Sequence, residues 1–484
     1  MYNNVFDNVS LEKAGAYKIS KIYLTSYRSP DGGNLTYREE ISSLVQEINI
    51  YEHLESKTLS GDITLFDATN LIARLPLTGY ERIEFKLSTP GLEKGYDFLQ
   101  ESGHPMFVYK ISNQREAGPR AQMYSLHFCS METIKNEQSR ISRAFSGPIA
   151  GFVQEIVRTS LDSKKNLLIE ESKDLTKLVI PNLKPFDTIG FIGLHTKSKN
   201  FANTGYLFYE NSIGFNFKSY ENMFTLGNGS PRPAMGSYSP RPKNIRNNGN
   251  KNILADLQSI EDFRIISHYN TLKNLKQGAY ASRLITHDTF NKVFETYDFD
   301  YLEDYIQHHH LETDANGGKR DDNGILPNFN FSKGKRLSNF YDGTLFVESN
   351  TRKVHNDYEL PNASELTQKR ISQKAALSSL VIEFTVPGFT GINVGDVVNL
   401  RMPSYYPNKN IMATDDFDPY LSGRYLISGL RHNISQMDKE HQMVVECVKD
   451  SYHIGFPEEP LDLFTDKEND KGATYLQYDI DSNV

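Results

Sequence analysis

The 484-residue chain has no tryptophan and only two cysteines, Cys129 and Cys447, which stand far apart in sequence. A disulfide framework and a cysteine-rich metal site are thereby excluded, and synthesis in a reducing compartment is expected. The amino end, Met1-Tyr2-Asn3-Asn4-Val5-Phe6-Asp7, lacks the basic start and apolar core of an export signal. No apolar run approaches membrane-spanning length, so no membrane anchor is expected. Also missing are a phosphate-cradling Gly-rich loop ending in Lys-Ser/Thr, a G-x-S-x-G elbow, an H-E-x-x-H pair and a dinucleotide fingerprint. Gly317-Gly318-Lys319-Arg320 comes without the hydroxyl residue. These absences weigh against an enzyme, although catalytic groups need only converge in space. Excess positive charge is lacking too. A net charge of −8 does not attract DNA, which suits a conduit that DNA passes without sticking and equally suits an ordinary soluble protein.

What is present points to strands. The 38% hydrophobic and 24% charged composition is that of a folded protein, and the length exceeds what one core sustains, so three or four domains are expected. The 28 Tyr and 28 Phe fit strands, which favour aromatic side chains, and also fit extensive subunit contact. Near each end lies the same small β-unit. In the first, Gly79 opens Glu81-Arg82-Ile83-Glu84-Phe85-Lys86-Leu87, then Phe107-Val108-Tyr109-Lys110-Ile111 leads to a polar turn and Met123-Tyr124-Ser125-Leu126-His127-Phe128 returns. In the second, Gly395 opens Asp396-Val397-Val398-Asn399-Leu400-Arg401, then Tyr425-Leu426-Ile427-Ser428-Gly429-Leu430 and Met443-Val444-Val445-Glu446-Cys447-Val448 follow. Between Gly79 and Phe107 the step is 28, and between Gly395 and Tyr425 it is 30. Alternating strands and polar hairpins recur in every β-protein, so chance likeness stays open beside duplication. If the unit is duplicated, three chains of two modules make a six-module ring.

Boundaries follow from shifts in period and composition. Strand patterns over residues 1–135 predict a first antiparallel β-barrel. Pro148 with Ile149, Phe152, Val153, Ile156 and Val157 predicts an amphipathic helix, a second starts at Pro185, and residues 206–217 predict a hairpin. The span 136–226 therefore reads as an α+β domain. Gly, Pro, Ser and Asn crowd 227–251, a flexible linker or basic arm. Residues 252–308 and 375–453 read as a discontinuous second barrel around a polar insertion, 309–374, whose helix begins at Asn362 with Glu365 completing a capping box. The span 454–484 is an acidic tail too poor in apolar surface for a core. The fold class expected is α+β, β-rich, with two tandem antiparallel β-barrel domains, an inserted α+β domain and long loops.

His308, His309, His310 and Glu312 form the one conspicuous metal-like group, since imidazole and carboxylate ligate zinc or iron. Adjacent histidines project in different directions, and a solvated loop is the favoured reading. Asp298, Asp300, Glu303 and Asp304, and again Asp415, Asp416 and Asp418, crowd carboxylates as glycoside hydrolysis or calcium binding requires, yet neither run has calcium-loop spacing. No catalytic residue, metal site or cofactor is assigned. The polar turns holding Gln114, Arg115 and Glu116, and Gln436, Asp438 and Lys439, are candidate subunit-contact loops, with ordinary exposed hairpins as the competing reading.

Ser60-Gly61-Asp62-Ile63-Thr64-Leu65-Phe66-Asp67-Ala68-Thr69-Asn70, followed by Gly79-Tyr80-Glu81-Arg82-Ile83, resembles the first domain of the baseplate central hub proteins of contractile-tailed bacteriophages. Ile180-Pro181-Asn182-Leu183-Lys184-Pro185-Phe186-Asp187 and Tyr206-Leu207-Phe208-Tyr209-Glu210-Asn211-Ser212-Ile213-Gly214-Phe215 are similar to their middle block. Val394-Gly395-Asp396-Val397-Val398 and Gly423-Arg424-Tyr425-Leu426-Ile427 before His432 resemble their second barrel, as in late control protein D and the amino-terminal region of VgrG. The likeness covers most of residues 17–453. It implies tail-tube-like barrels and a homotrimer whose pseudo-sixfold ring joins the hexameric tail tube protein to the trimeric spike protein. Implied too are contacts with tape measure and baseplate wedge proteins, a lumen for DNA in transit, no enzymatic activity, and a place in the virion baseplate after synthesis in the host cytoplasm. Competing readings are a VgrG-like spike component, which would need an OB domain and β-helix that the acidic tail does not supply, a tail-associated glycan hydrolase using Asp298, Asp300 or Glu303, and a carbohydrate-binding module.

Overall fold

The computed structural model describes residues 13–26, 37–75, 77–92, 94–173, 175–202, 204–240, 253–288, 291–312, 324–326, 330–332, 335–349, 363–404 and 417–454. The first part carries β1 (Lys18–Ile19), β2 (Tyr23–Ser26), β3 (Tyr37–Glu40), β4 (Val45–His53), β5 (Ser60–Asp67), α1 (Leu71–Arg74), β6 (Arg82–Glu84), β7 (Lys86–Ser88), β8 (Gly95–Asp97), β9 (Met106–Gly118) and β10 (Ala121–Ser130). A middle part follows with α2 (Met131–Gln138), β11 (Ile141–Pro148), α3 (Ile149–Glu155), β12 (Leu167–Ile169), β13 (Leu175–Leu183), α4 (Pro185–Leu194), β14 (Tyr206–Asn211), β15 (Gly214–Ser219) and α5 (Tyr220–Phe224). The last part opens with β16 (Ser237–Pro240), α6 (Ile253–Leu257), β17 (Ser259–Ile260), β18 (Asp262–Ser267), α7 (Thr271–Lys276), β19 (Ala281–Asp288), β20 (Val293–Asp300) and α8 (Tyr301–Tyr305). It continues with β21 (Asn330–Ser332), β22 (Lys335–Arg336), β23 (Leu345–Ser349), α9 (Ala363–Leu377), β24 (Leu380–Pro387), β25 (Val397–Leu400), β26 (Gly423–Ser435) and β27 (Glu440–Lys449).

Local patterning explains these elements. β5 alternates strictly, burying Gly61, Ile63, Leu65 and Asp67, and β24 does the same with Leu380, Ile382, Phe384 and Val386. The Pro148 stripe folds as α3, which runs on into a π-helical turn, Ile156–Ser160, and buries Ile149, Phe152, Val153, Ile156 and Val157. Pro185 occupies the first turn of α4, where its missing N–H costs nothing.

Two tandem barrels were expected as separate modules, whereas the described strands form one 14-stranded sheet that continues from one β-unit into the other. The cause is the length of β26. Its 13 residues pair at the start with β25, through Gly423 to Leu426, and at the end with β4, through Gly429 to Ser435. The long edge of one unit therefore receives the first strand pair of the other.

Three apolar clusters sit beneath the sheet and helices. One runs from Ile22 to Phe128 and includes Ile434. The second packs α3 and α4 against β14 and β15, with Phe152, Ile189, Phe208 and Phe215 at its centre. The third gathers β24 to β27 with α8, α9 and the aromatic residues of α5. The stretch 227–251, expected as a flexible linker, contributes β16, whose Tyr238 is buried and which pairs in parallel with β25 and β17. Its residues from 241 onward lie outside those described, as do Asn362, Asp415, Asp416 and the tail from 455. The insertion 309–374, expected to be polar, buries Leu311, Ile325 and Leu326 in the third cluster and adds β23 in parallel to β19.

Candidate assembly surfaces

The two β-units match strand for strand. In the first, the order β4, β5, β10, β9, β6 is fixed by antiparallel pairing. In the second, β18, β24, β27, β26, β25 follow the same order. Each long hairpin carries a bulge at the same place, between His127 and Phe128 on β10 and opposite Glu446 and Cys447 on β27. Each also closes over its entry strand with one bond. Val108 N–H donates to the carbonyl of Glu81 at 2.9 Å, and Ile427 N–H donates to that of Asp396 at 2.9 Å.

The units meet where β26 lies antiparallel to β4, with Arg431 opposite Tyr51, His432 opposite Ile50 and Ile434 opposite Ile48. Alternation sends Ile48, Ile50, Leu430, His432 and Ile434 inward, while Arg431, Asn433, Asn49 and Glu47 form a polar row on the other face. Ile434 packs in the first unit's core and Leu54 in the second unit's, so the joint exchanges apolar residues. Away from the ladder, Thr89 N–H donates to Thr390 Oγ1 and Thr390 N–H donates to Thr89 Oγ1, both at 2.9 Å.

Glu52 is fully buried at this joint. Its carboxylate accepts from Tyr96 Oη at 2.8 Å, from Ser212 N–H at 2.9 Å and from Val394 N–H at 3.1 Å, which ties both units and the β14–β15 turn to one side chain. Burial pushes its pKa up to about 7 against the pull of those donors, and Asp396 is pushed up to about 6 by burial as well. Nearby, His432 and His441 share a 3.0 Å hydrogen bond, and burial drives His432 down to about 3, so the pair stays neutral.

Gln436, Asp438 and Lys439 lie in the turn between β26 and β27, whereas Gln114, Arg115 and Glu116, expected in a turn, lie on β9 itself, where Arg115 stands opposite Met123 and Glu116 opposite Gln122. The ladder runs on past them to Gly118, and Pro119 and Arg120 make that hairpin's turn. Counting antiparallel steps, β9 and β26 run in the same direction, so both turns lie at one end of the sheet, four strand spacings or roughly 19 Å apart. Gln114 donates to the Gln122 amide oxygen at 3.0 Å, and Arg115 reaches Met123 Sδ, leaving Arg115 and Glu116 exposed beside a groove of about 660 Å³ that also takes in Thr69 and Arg120. The second turn faces inward along the chain. Gln436 N–H donates to the Gln46 carbonyl at 2.9 Å, one step beyond the β26–β4 ladder. Asp438 accepts from Ser435 Oγ at 2.7 Å, and Lys439 holds a left-handed φ of 52°. Of the six residues, Gln436 and Lys439 have partners in the other unit, the Lys439 carbonyl accepting from Lys13 Nζ at 3.3 Å, and Arg115 and Glu116 are exposed.

The histidine run is not a solvated loop. His308 is buried between Glu221 Oε1 at 2.5 Å and Asp304 Oδ2 at 3.0 Å, and His310 bonds Asp450 Oδ2 at 2.8 Å. Burial alone would lower His308, but the bonds to Asp304 and Glu221 outweigh it and hold it at about 9. Asp304 stands four residues before His308, but Glu221 and Asp450 are remote in sequence, which is why the run alone did not reveal its burial. Among the described residues, no three His, Cys, Asp or Glu side chains stand together as a metal site requires. Asp298 pairs with Arg283 at 2.6 Å, and Asp300 caps α8 through Leu302 N–H and accepts from Ser338 Oγ. A buried triad went unread in the sequence as well. Lys165 Nζ lies 2.8 Å from Glu132 and 2.6 Å from Glu210, joining α2 to β14.

No protein-family model matches the chain, and no curated protein matches it. Among solved structures it is similar to the tail protein from Neisseria meningitidis MC58, at 12% identity and a TM-score of 0.50, over 90% of this chain and 97% of that one. It is also similar to the 43 kDa tail protein of prophage MuSo2 from Shewanella oneidensis, at 12% identity and a TM-score of 0.47, over 89% of this chain and 98% of that one. The likeness to the Neisseria protein is one of fold. The chain is a β-rich α+β protein sharing the fold of a tail protein, the level at which the resemblance noted in the sequence is met.

Proposed function

We propose that this chain is the structural hub of a contractile phage tail baseplate. Three copies form a pseudo-sixfold ring that adapts a hexameric tail tube to a trimeric spike and leaves a lumen for DNA in transit. One observation carries the reading: the strand order of β4, β5, β10, β9 and β6 recurs in β18, β24, β27, β26 and β25, and the two copies are already joined edge to edge by β26 and β4. Three identical chains offer three identical surfaces. Equivalent contact with six tube subunits requires each chain to present two near-copies of one surface, which the repeated ladder supplies. In this reading each unit is a tube-like barrel, residues 1–135 forming one and 252–308 with 375–453 the other, and 136–226 is the domain between them. Tape measure and baseplate wedge proteins are further partners, the virion baseplate is the site of action, and the acidic balance keeps passing DNA from adhering.

Native mass spectrometry of the purified chain, followed by end-on electron microscopy images, tests the reading. A mass of three chains and a ring with six near-equal lobes are expected. A monomer at every concentration, or a trimer without a central opening, would overturn it. Mixing with tail tube subunits separates the hub from a VgrG-like spike component, since a hub caps the tube without a fused spike.

A further inference from the structure

The internal joint has two halves whose counterparts elsewhere on the chain face no partner among the described strands. β9 corresponds to β26, yet beyond Val108 its outer edge pairs with no described strand, and Tyr109 is 52% exposed. β18 corresponds to β4, since each flanks the strand that pairs with the returning arm of a hairpin, and its outer edge also pairs with no described strand. Ile265 occupies the place of Ile50 in that correspondence. Ile50 is fully buried at the internal joint, whereas Ile265 is 40% exposed and its neighbour Ile266 50% exposed. Apolar side chains on an open sheet edge are an invitation to pairing.

Resting on the trimer reading above, we infer that β9 of one chain pairs antiparallel with β18 of a second copy, repeating between chains the contact that β26 makes with β4 within one. The ladder correspondence fixes the register. Arg431 faces Tyr51 at the internal joint, and the equivalent positions are Ser112 and Ser267, each set by its own partner on β10 and β24. Asn433 donates to Glu47 there, and the equivalent residues are Arg115 and Asp262, an ion pair of opposite charge. Ile111, in the place of Leu430, comes to lie beside β18 and covers it. Because the external contact copies the internal one, each step turns the ring by the same angle, and in the trimer reading the alternating internal and external joints close after six units.

The test is a paired cysteine substitution, Ser112→Cys with Ser267→Cys, in the full chain. Antiparallel partners stand about 4.5 or 5.5 Å apart at Cα, and a disulfide spans either. Both native cysteines are buried, so single variants serve as clean controls. Oxidation is expected to link the double variant into covalent trimers on a non-reducing gel, reversed by reductant, while each single variant stays at monomer mass. A trimer by native mass whose cysteines fail to bridge overturns the strand pairing and leaves the trimer standing. Bridging into ladders longer than three keeps the pairing and overturns the closed ring. A bridge within one chain, or a monomer under all conditions, overturns the inference. A second pair of variants guards against local damage: Arg115→Asp should lower the trimer fraction at least tenfold, and adding Asp262→Arg should restore it, whereas failure of that rescue would also overturn the pairing.

Discussion

Glu52 on β4 accepts the backbone N–H of Val394, at 3.1 Å, across the seam between the two β-units. A carboxyl group buried there prefers its proton, and its pKa of about 7 lies above that of a carboxyl in an unfolded chain. The folded state therefore binds the proton more tightly than the unfolded one. This contribution to stability is complete below pH about 4.3 and is lost as pH rises through 7, an effect on the order of 3 kcal/mol. Glu52→Gln should flatten the fall in thermal midpoint between pH 4.5 and 7.5. An unchanged slope in the variant would refute this account of the seam.

Lys165 makes a different demand. Its ammonium is nearly fully buried, and although burial alone would lower its pKa, attraction from Glu210 and Glu132 raises it. Removing the cation strands two carboxylates in the interior. Lys165→Met should cost about 3–5 kcal/mol in urea unfolding, and adding Glu132→Gln with Glu210→Gln should recover more than half of that. Equal stability of Lys165→Met and the native chain would show that the triad is better hydrated than its packing implies.

These buried groups mark the boundary of what the sequence could convey. Strands such as β5 and β24, and helices α3 and α4, were readable because each carries its own period and its own proline or glycine punctuation. The last three strands of each unit were readable as a pair from the matching spacings, but the two strands that precede them in the ladder were not. The fusion of the units into one sheet was not readable, since β26 and β4 lie hundreds of residues apart and nothing local says which edges meet. Glu52 had a signal: it shares the parity of Ile48 and Ile50 along β4, which turns it inward. His308 had half of one, since Asp304 lies four residues before it, whereas Glu221 reaches it only through tertiary packing. Ser237 to Pro240 read as linker because a Pro- and Ser-rich segment can still add a short parallel strand when Tyr238 fills a core position.

His308 should reveal itself in a separate pH window. Burial alone would lower its pKa, but its hydrogen bonds to Asp304 and Glu221 lift it to about 9, so the cation is favoured in the fold. Its contribution is complete below pH about 6.5 and is lost as pH rises through 9, on the order of 3 kcal/mol. Thermal midpoints taken from pH 6 to 10 should fall in the native chain, and His308→Gln should be less stable at pH 6 and lose much of that slope. Parallel curves for the two proteins would argue that His308 is neutral in the fold.

Gly61 tests the packing beneath the seam. It sits on β5 between β4 and β10, where an added Cβ would lie 2.3 Å from the carbonyl oxygen of Asn49 and 2.3 Å from Cζ of Phe128. The carbonyl belongs to the strand that carries the joint to β26, so it cannot retreat without shifting the ladder. Gly61→Ala should therefore destabilise by about 1–3 kcal/mol, a typical overpacking cost. Gly190 provides the contrast, being exposed within α4 with nothing near its missing Cβ and no left-handed φ. Gly190→Ala should gain about 0.5–1 kcal/mol from reduced chain entropy and better helix propensity. Because Asn49 also binds Arg431 and Asn433 of β26, the Gly61 variant should loosen amide exchange along 429–435, while the Gly190 variant leaves those amides unchanged. Unchanged protection of 429–435 in Gly61→Ala would mean that the two units hold together independently of β5.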